Sequence, residues 1–223
     1  MSNPYKAAGM TKAQCPPLAD IYFETFGNKT DGYFVEVGAF NGLNWSATRA
    51  LARLGWHGLL FEPNKEYYNA CSQLYQNNKK VSVENCAILD YVGKTKLYLG
   101  GSLSTTNADR VSVYQTVSWA KGSRLDLERF TEVNAFSLDY MFEKHKLPSN
   151  FEMLVIDVEG AEAQVLRGLS FDEWSPQLMM VETHETNEDE RLSKTAGEVE
   201  EIVFSYGYKK LFANHINTVY RKT

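Results

Sequence analysis

Five acidic side chains and one imidazole stand where chemistry could be done. Glu36 falls near the end of the apolar run Tyr33 to Val37, Glu62 follows Leu60-Phe61, Asp157 and Glu159 follow Leu154-Val155-Ile156, and Glu182 and His184 follow Val181. Short runs rich in β-branched and aromatic residues read as buried strands. An acidic group at the carboxyl end of such a strand lies at the edge where open α/β sheets hold their ligands. A carboxylate there accepts hydrogen bonds from a ribose diol, faces a cation, or takes a proton from a hydroxyl.

The turn Glu36-Val37-Gly38-Ala39-Phe40-Asn41-Gly42 places two glycines four apart. Bare backbone and the amide donors of a following helix start suit an approaching ligand. The dinucleotide fingerprint Gly-x-Gly-x-x-Gly has a glycine where this chain has Phe40, at the point where pyrophosphate must touch backbone. A nicotinamide or flavin therefore fits less well than a ligand without a pyrophosphate and with a cationic amino-acid portion, such as S-adenosylmethionine. The plain alternative is a strand-turn-helix junction whose glycines serve geometry alone.

Glu62, in Leu60-Phe61-Glu62-Pro63-Asn64, lies about 20 residues beyond the glycine turn, the spacing at which a carboxylate meets both ribose hydroxyls. It could instead serve a helix start, with Asn64 as N-cap ahead of Lys65. In the third cluster, Leu154 to Glu162, a buried strand delivers Asp157 and Glu159 to the sheet edge and Gly160 opens a helix. Two acids so close raise one another's pKa unless a cation or hydrogen bonds intervene, which suits a general base, a metal site or a sulfonium neighbour. Helix capping accounts for Glu162 and leaves Asp157 unexplained. His184 belongs to the same rim as a base or metal ligand, and Asp157, Glu159, Glu182 and His184 together form a candidate divalent-cation set.

On these motifs the chain resembles the FkbM-type methyltransferases, a branch of the class I S-adenosylmethionine-dependent enzymes. The matching pieces are Val35 to Gly42, Phe61 to Asn64, Ser137-Leu138-Asp139, Ile156 to Glu162 and Val165 to Gly168, spread over about residues 30 to 185. The resemblance implies a seven-stranded sheet with a reversed last strand and methyl transfer to a hydroxyl oxygen. It assigns Glu36, Gly38 and Gly42, with Ala39 and Asn41 between them, to the methionine portion of the cofactor. Glu62, with Pro63 and Asn64, goes to the ribose and Cys86-Ala87 to the adenine edge, while Asp157 and Glu159 fall near the methyl group. Trp45 and a long polar segment before Asp139 depart from the common pattern.

The elements that must position these groups alternate. Strands are expected at Tyr33 to Val37, His57 to Glu62, Val81 to Asn85, Met153 to Asp157 and Gln177 to Thr183. Helices are expected at Leu18 to Phe26, from Trp45 to Leu54, at Lys65 to Gln76, Ser137 to His145, after Gly160, and at Glu198 to Tyr206. Strand-like pieces fall between Ala87 and Leu99 with Gly93 in a turn, and Tyr208 to Phe212 with Thr218 to Arg221 form a closing hairpin. The fold class is α/β, a three-layer doubly wound Rossmann-like class I methyltransferase sheet, mostly parallel with an antiparallel last strand.

One domain over residues 1–223 is expected, with residues 1–30 as an arm ending in a short helix. Residues 100–130 read as an acceptor-side insertion or lid without sustained period, carrying Tyr114, Trp119, Lys121 and Arg124. At 43% hydrophobic and 23% charged the chain is an ordinary globular one. A net charge of −5 speaks against a nucleic-acid partner. No apolar run spans a membrane and the N-terminus lacks a signal-peptide layout, so a cytoplasmic protein is expected. Cys15, Cys71 and Cys86 show no metal or disulfide spacing.

The expected function is an O-methyltransferase that uses S-adenosylmethionine on a hydroxyl of a small acceptor, sugar-like in the first instance. Asp157 or His184 would be the base, with Glu159 assisting, and rate would come mainly from alignment of donor and acceptor. A magnesium-assisted version, a non-catalytic nucleotide-fold binding module and, more distantly, a dehydrogenase are the alternatives.

Overall fold

The computed structural model describes residues 2–10, 15–183 and 190–223, with side chains described from 196 onward in the last stretch. Seven strands form the main sheet. They are β1 (Tyr33–Val37), β2 (His57–Phe61), β3 (Val81–Glu84), β7 (Met153–Ile156), β8 (Leu178–Glu182), β9 (Tyr208–Ala213) and β10 (Asn217–Lys222), in the order β3-β2-β1-β7-β8-β10-β9. All neighbours are parallel except the last strand, β10, which runs against both β8 and β9. The order reverses at β1, and its partner on the other side of the switch is β7.

Alternation along β1 explains the layers. Val35 and Val37 face one side, where Leu138, Met141 and Phe142 of α6 (Leu138–His145), Val165 and Leu166 of α7 (Glu162–Arg167), and Val199 and Val203 of α8 (Glu190–Ser205) cover them. Phe34 faces the other, against Tyr5 of α1 (Pro4–Ala7), Leu18 and Tyr22 of α2 (Leu18–Phe26), Leu51 of α3 (Arg49–Leu54), and the side of the core that holds Cys71 and Tyr75 of α4 (Lys65–Tyr75). Each wholly buried Val, Leu or Phe contributes about 1.5–3 kcal/mol, so the two-sided burial of the central strands dominates the stability of this frame.

Two expectations are corrected. The helix after the first turn is shorter than its apolar spacing suggested, running Arg49–Leu54, because residues 46–48 are held in an irregular loop by Glu36. The segment expected to lack regular structure contains helix α5 (Ala108–Thr116) between 3-10 segments at Gly101–Leu103 and Ser118–Ser123. Asn107 caps α5, its Oδ1 accepting from the Asp109 and Arg110 amides. The segment packs a small core of its own from Tyr98, Val111, Tyr114, Val117, Ala120 and Leu125. It leaves and returns through a second sheet, β4 (Ala87–Ile88), β6 (Phe130–Phe136) and β5 (Gly93–Tyr98), in the order β4-β6-β5. Among the described residues no helix is long and apolar enough to cross a membrane.

Candidate active site

A cavity of about 250 Å3 opens at the carboxyl edge of the sheet, on the strand-order reversal. It brings together Glu36, Gly38, Ala39, Glu62, Pro63, Cys86, Ala87, Asp157, Glu159 and Glu182 from the ends of β1, β2, β3, β7 and β8. Three residues of the sequence reading do not line it. Asn41 closes its own turn, accepting from the Leu43 and Asn44 amides at 3.0 and 2.9 Å. Gly42 lies against α4, where a β-carbon would sit 2.8 Å from the Cys71 sulfur and 3.0 Å from the Tyr75 ring. Asn64 caps α4, accepting from Glu66 N at 3.0 Å. His184 lies outside the described residues.

Gly38 is fixed by its surroundings. Its φ is +87°, and a β-carbon there would come within 1.7 Å of the Asp157 carbonyl oxygen. The ends of β1 and β7 can approach this closely only over a glycine. That approach sets the Asp157 side chain beside the glycine turn.

Glu36 is 4% exposed and holds the loop that follows it. Its carboxylate accepts from Thr48 Oγ1 at 2.7 Å, from Ser46 Oγ at 3.1 and 3.2 Å, and from the Ala47 amide at 3.2 Å. Burial pushes its pKa up to about 7 against the pull of these hydrogen bonds, and the Asp157 charge adds to the rise. Glu62 accepts from the Phe40 amide at 2.8 Å through one oxygen and from the Asn64 amide at 2.7 Å through the other. Burial lifts it likewise to about 7, with Asp157 again adding. Each oxygen of Glu62 keeps a lone pair for a further donor. Phe40 adopts a φ of +49° to reach Glu62, and its ring lies 4.2 Å from that of Tyr67 and 6.0 Å from that of Trp45, centroid to centroid. These three rings line the cavity, and Trp45 is half exposed at its edge.

At the opposite end, carboxylate oxygens of Asp157, Glu159 and Glu182 lie within 4.8 Å of one another. Burial holds the Glu182 pKa well above the usual carboxylate range, the charges of Asp157 and Glu162 add to this, and Arg110 opposes it. A hydrogen bond with Asp157 raises it further. Glu159 sits at φ +60° and accepts from the Tyr114 hydroxyl. The segment carrying Tyr114 is pinned at two further points, Thr105 Oγ1 to the Glu159 carbonyl at 2.8 Å and Asn107 Nδ2 to the Gly160 carbonyl at 2.7 Å. Gly101 to Ser104 and Thr106 complete the cavity wall facing Tyr67.

The sequence reading marked residues 100–130 as an acceptor-side insertion or lid but passed over Arg110. The available signal was Asn107 followed by Asp109, an N-cap with an acidic first turn.

A family model, the methyltransferase FkbM domain, matches residues 36–210, which takes in every group described above. The chain belongs to the FkbM methyltransferase family. Among solved structures it is similar to the methyltransferase FkbM from Methylobacillus flagellatus KT, with a TM-score of 0.56 and 12% identity, covering 86% of this chain and 44% of that one. It is also similar to precorrin-6y C5,15-methyltransferase from Geobacter metallireducens GS-15, at 0.51 and 10%, covering 96% of this chain and 92% of the other. At these identities the likeness is one of fold, the Rossmann-like class I methyltransferase sheet. The chain spans less than half the length of the Methylobacillus protein. No curated protein matches it.

Proposed function

We propose that this FkbM-family chain is an S-adenosylmethionine-dependent methyltransferase acting on a hydroxyl of a small acceptor, sugar-like in the first instance. The observation that carries this reading is the single cavity in which Glu62 stands at one end and Asp157, Glu159 and Glu182 at the other, joined by the Gly38 turn. The donor set supports this cofactor. Glu62 has its carboxylate fixed by two backbone amides with acceptor capacity left over, as a ribose diol requires. Pro63, Cys86, Ala87 and Leu97 give a mainly apolar wall for a planar base.

When bound, S-adenosylmethionine supplies an electrophilic methyl group carried on a sulfonium. Gly38 and Ala39 offer backbone to its methionine portion, and Glu36 acts one step removed by holding residues 46–48. Asp157 and Glu159 are the groups within reach of an acceptor hydroxyl, and either would take its proton as the new bond to oxygen forms. Their fixed partners keep them aligned, which is the main source of rate in such a transfer. The magnesium-assisted version draws on the same three oxygens as its ligands and predicts activity lost to chelator and restored by the metal.

Isothermal titration of S-adenosylmethionine into the chain tests the reading. Binding is expected in the wild type and weakened on the order of tenfold or more in Glu62→Ala. No binding by the folded wild type returns the chain to a nucleotide-fold module without this chemistry.

A further inference from the structure

Three carboxylate oxygens within 4.8 Å of one another cannot all stand ionised without compensation. At an effective dielectric of about 20, each pair of unit charges about 4 Å apart costs roughly 4 kcal/mol. Positive charge close by offsets that cost, and helix α5 carries one. Arg110 is 4% exposed, its guanidinium carbon is 5.5 Å from the centre of the Tyr114 ring, and its charge is felt at both Tyr114 and Glu182.

The placement is built. Asn107 ties the start of α5 to the Gly160 carbonyl and caps the Arg110 amide. Gly160 has a φ of +103°, and a β-carbon on it would lie 2.3 Å from Arg110 Nε, so this glycine leaves the room that the guanidinium needs. Glu162 turns one oxygen back to the Gly160 and Val158 amides, at 2.8 and 3.3 Å, which stiffens the loop under Arg110.

We propose that Arg110 is the resident counter-cation of the Asp157, Glu159 and Glu182 cluster and stands in for a divalent metal, so that this centre holds its carboxylates in place without one. Arg110 does not line the cavity and touches no reacting atom; it is a positioning residue. A divalent ion entering the cluster would meet a buried positive charge that does not leave, because a guanidinium stays protonated in proteins. It would also have to displace the Tyr114 hydroxyl from Glu159. The significance of the cluster rests on the methyl-transfer reading, but the charge arrangement does not.

Manganese chloride, followed by electron paramagnetic resonance, tests this without cofactor or acceptor. The variants are Arg110→Met, Arg110→Gln, Arg110→Lys, Glu159→Gln and the double variant Arg110→Met with Glu159→Gln. Wild type and Arg110→Lys are expected to show no manganese site at this cluster. Arg110→Met or Arg110→Gln gains one that is on the order of tenfold tighter than any wild-type binding, and the double variant loses it again. Near-UV circular dichroism establishes that each variant is folded. Two results overturn the proposal. One is a manganese site in the wild type that Glu159→Gln removes, a measurement that needs no Arg110 variant to fold. The other is a folded Arg110→Met or Arg110→Gln protein that gains no site. Neither result bears on S-adenosylmethionine binding, whose failure would sink the methyl-transfer reading separately.

Discussion

The Tyr114 hydroxyl donates a hydrogen bond to the Glu159 carboxylate, with both side chains buried and 45 residues apart in the chain. This contact joins the inserted helix to the loop after β7 and makes the insertion one wall of the carboxylate cluster. The inserted segment is held by Tyr114, Thr105 and Asn107 on three successive groups of residues 159–160.

Tyr114→Phe removes this donor from a buried carboxylate. A loss of about 1–3 kcal/mol of unfolding free energy is expected in urea denaturation, with the slope unchanged. A variant as stable as the wild type would mean that the contact does not hold the insertion.

Gly38→Ala places a β-carbon 1.7 Å from the Asp157 carbonyl oxygen at a φ of +87°. The ends of β1 and β7 must then part. Destabilisation on the order of 3 kcal/mol or more is expected by thermal or urea unfolding, and any folded fraction should bind S-adenosylhomocysteine poorly.

The pH dependence of stability follows from Glu36 and Glu62. Burial raises both to about 7 in the folded protein, above their unfolded value near 4.5. A group raised in this way binds its proton more tightly in the fold, so its favourable contribution is complete below about 4.5 and is lost as pH rises through about 7. Glu62→Gln should therefore flatten the fall in stability between these values, by on the order of 3 kcal/mol at most. The measurement is urea unfolding of both proteins at a series of pH values. Parallel curves would contradict the assignment.

Asp157 raises the pKa of Glu36, Glu62 and Glu182 alike, so charge placed near it is felt across the cavity. Binding a sulfonium favours the ionised carboxylates and should release up to about one proton near pH 7. Titrations in buffers of different ionisation enthalpy would detect this, and the neutral thioether S-adenosylhomocysteine should release less. Equal release by the two ligands would place the sulfur away from Asp157.

The frame was legible where burial is apolar and two-sided. β1, α2 and α6 fall where alternation and capping put them, with Ser137 accepting from the Tyr140 amide at 3.2 Å as the N-cap of α6. Helix α5 was missed because it buries Arg110 and Tyr114 beside Val111 and Val113, a mixed face that hydrophobic periodicity does not register. Strand β6 was missed because most of its residues face solvent and give it no apolar face. At the site, the carboxylates Glu36, Glu62, Asp157, Glu159 and Glu182 were marked by their places at strand ends. Glycine spacing alone did not distinguish Gly38, which meets Asp157, from Gly42, which packs on α4. The partnership of Gly160 with Arg110 spans 50 residues and exists only in the fold.

The central claim is best tested by a crystal structure with S-adenosylhomocysteine bound. The ribose hydroxyls are predicted to donate to Glu62, and the sulfur to lie at the Asp157 and Glu159 end of the cavity with the inserted helix in place. A ligand seated elsewhere, or in this cavity with its sulfur turned away from Asp157 and Glu159, would contradict the account.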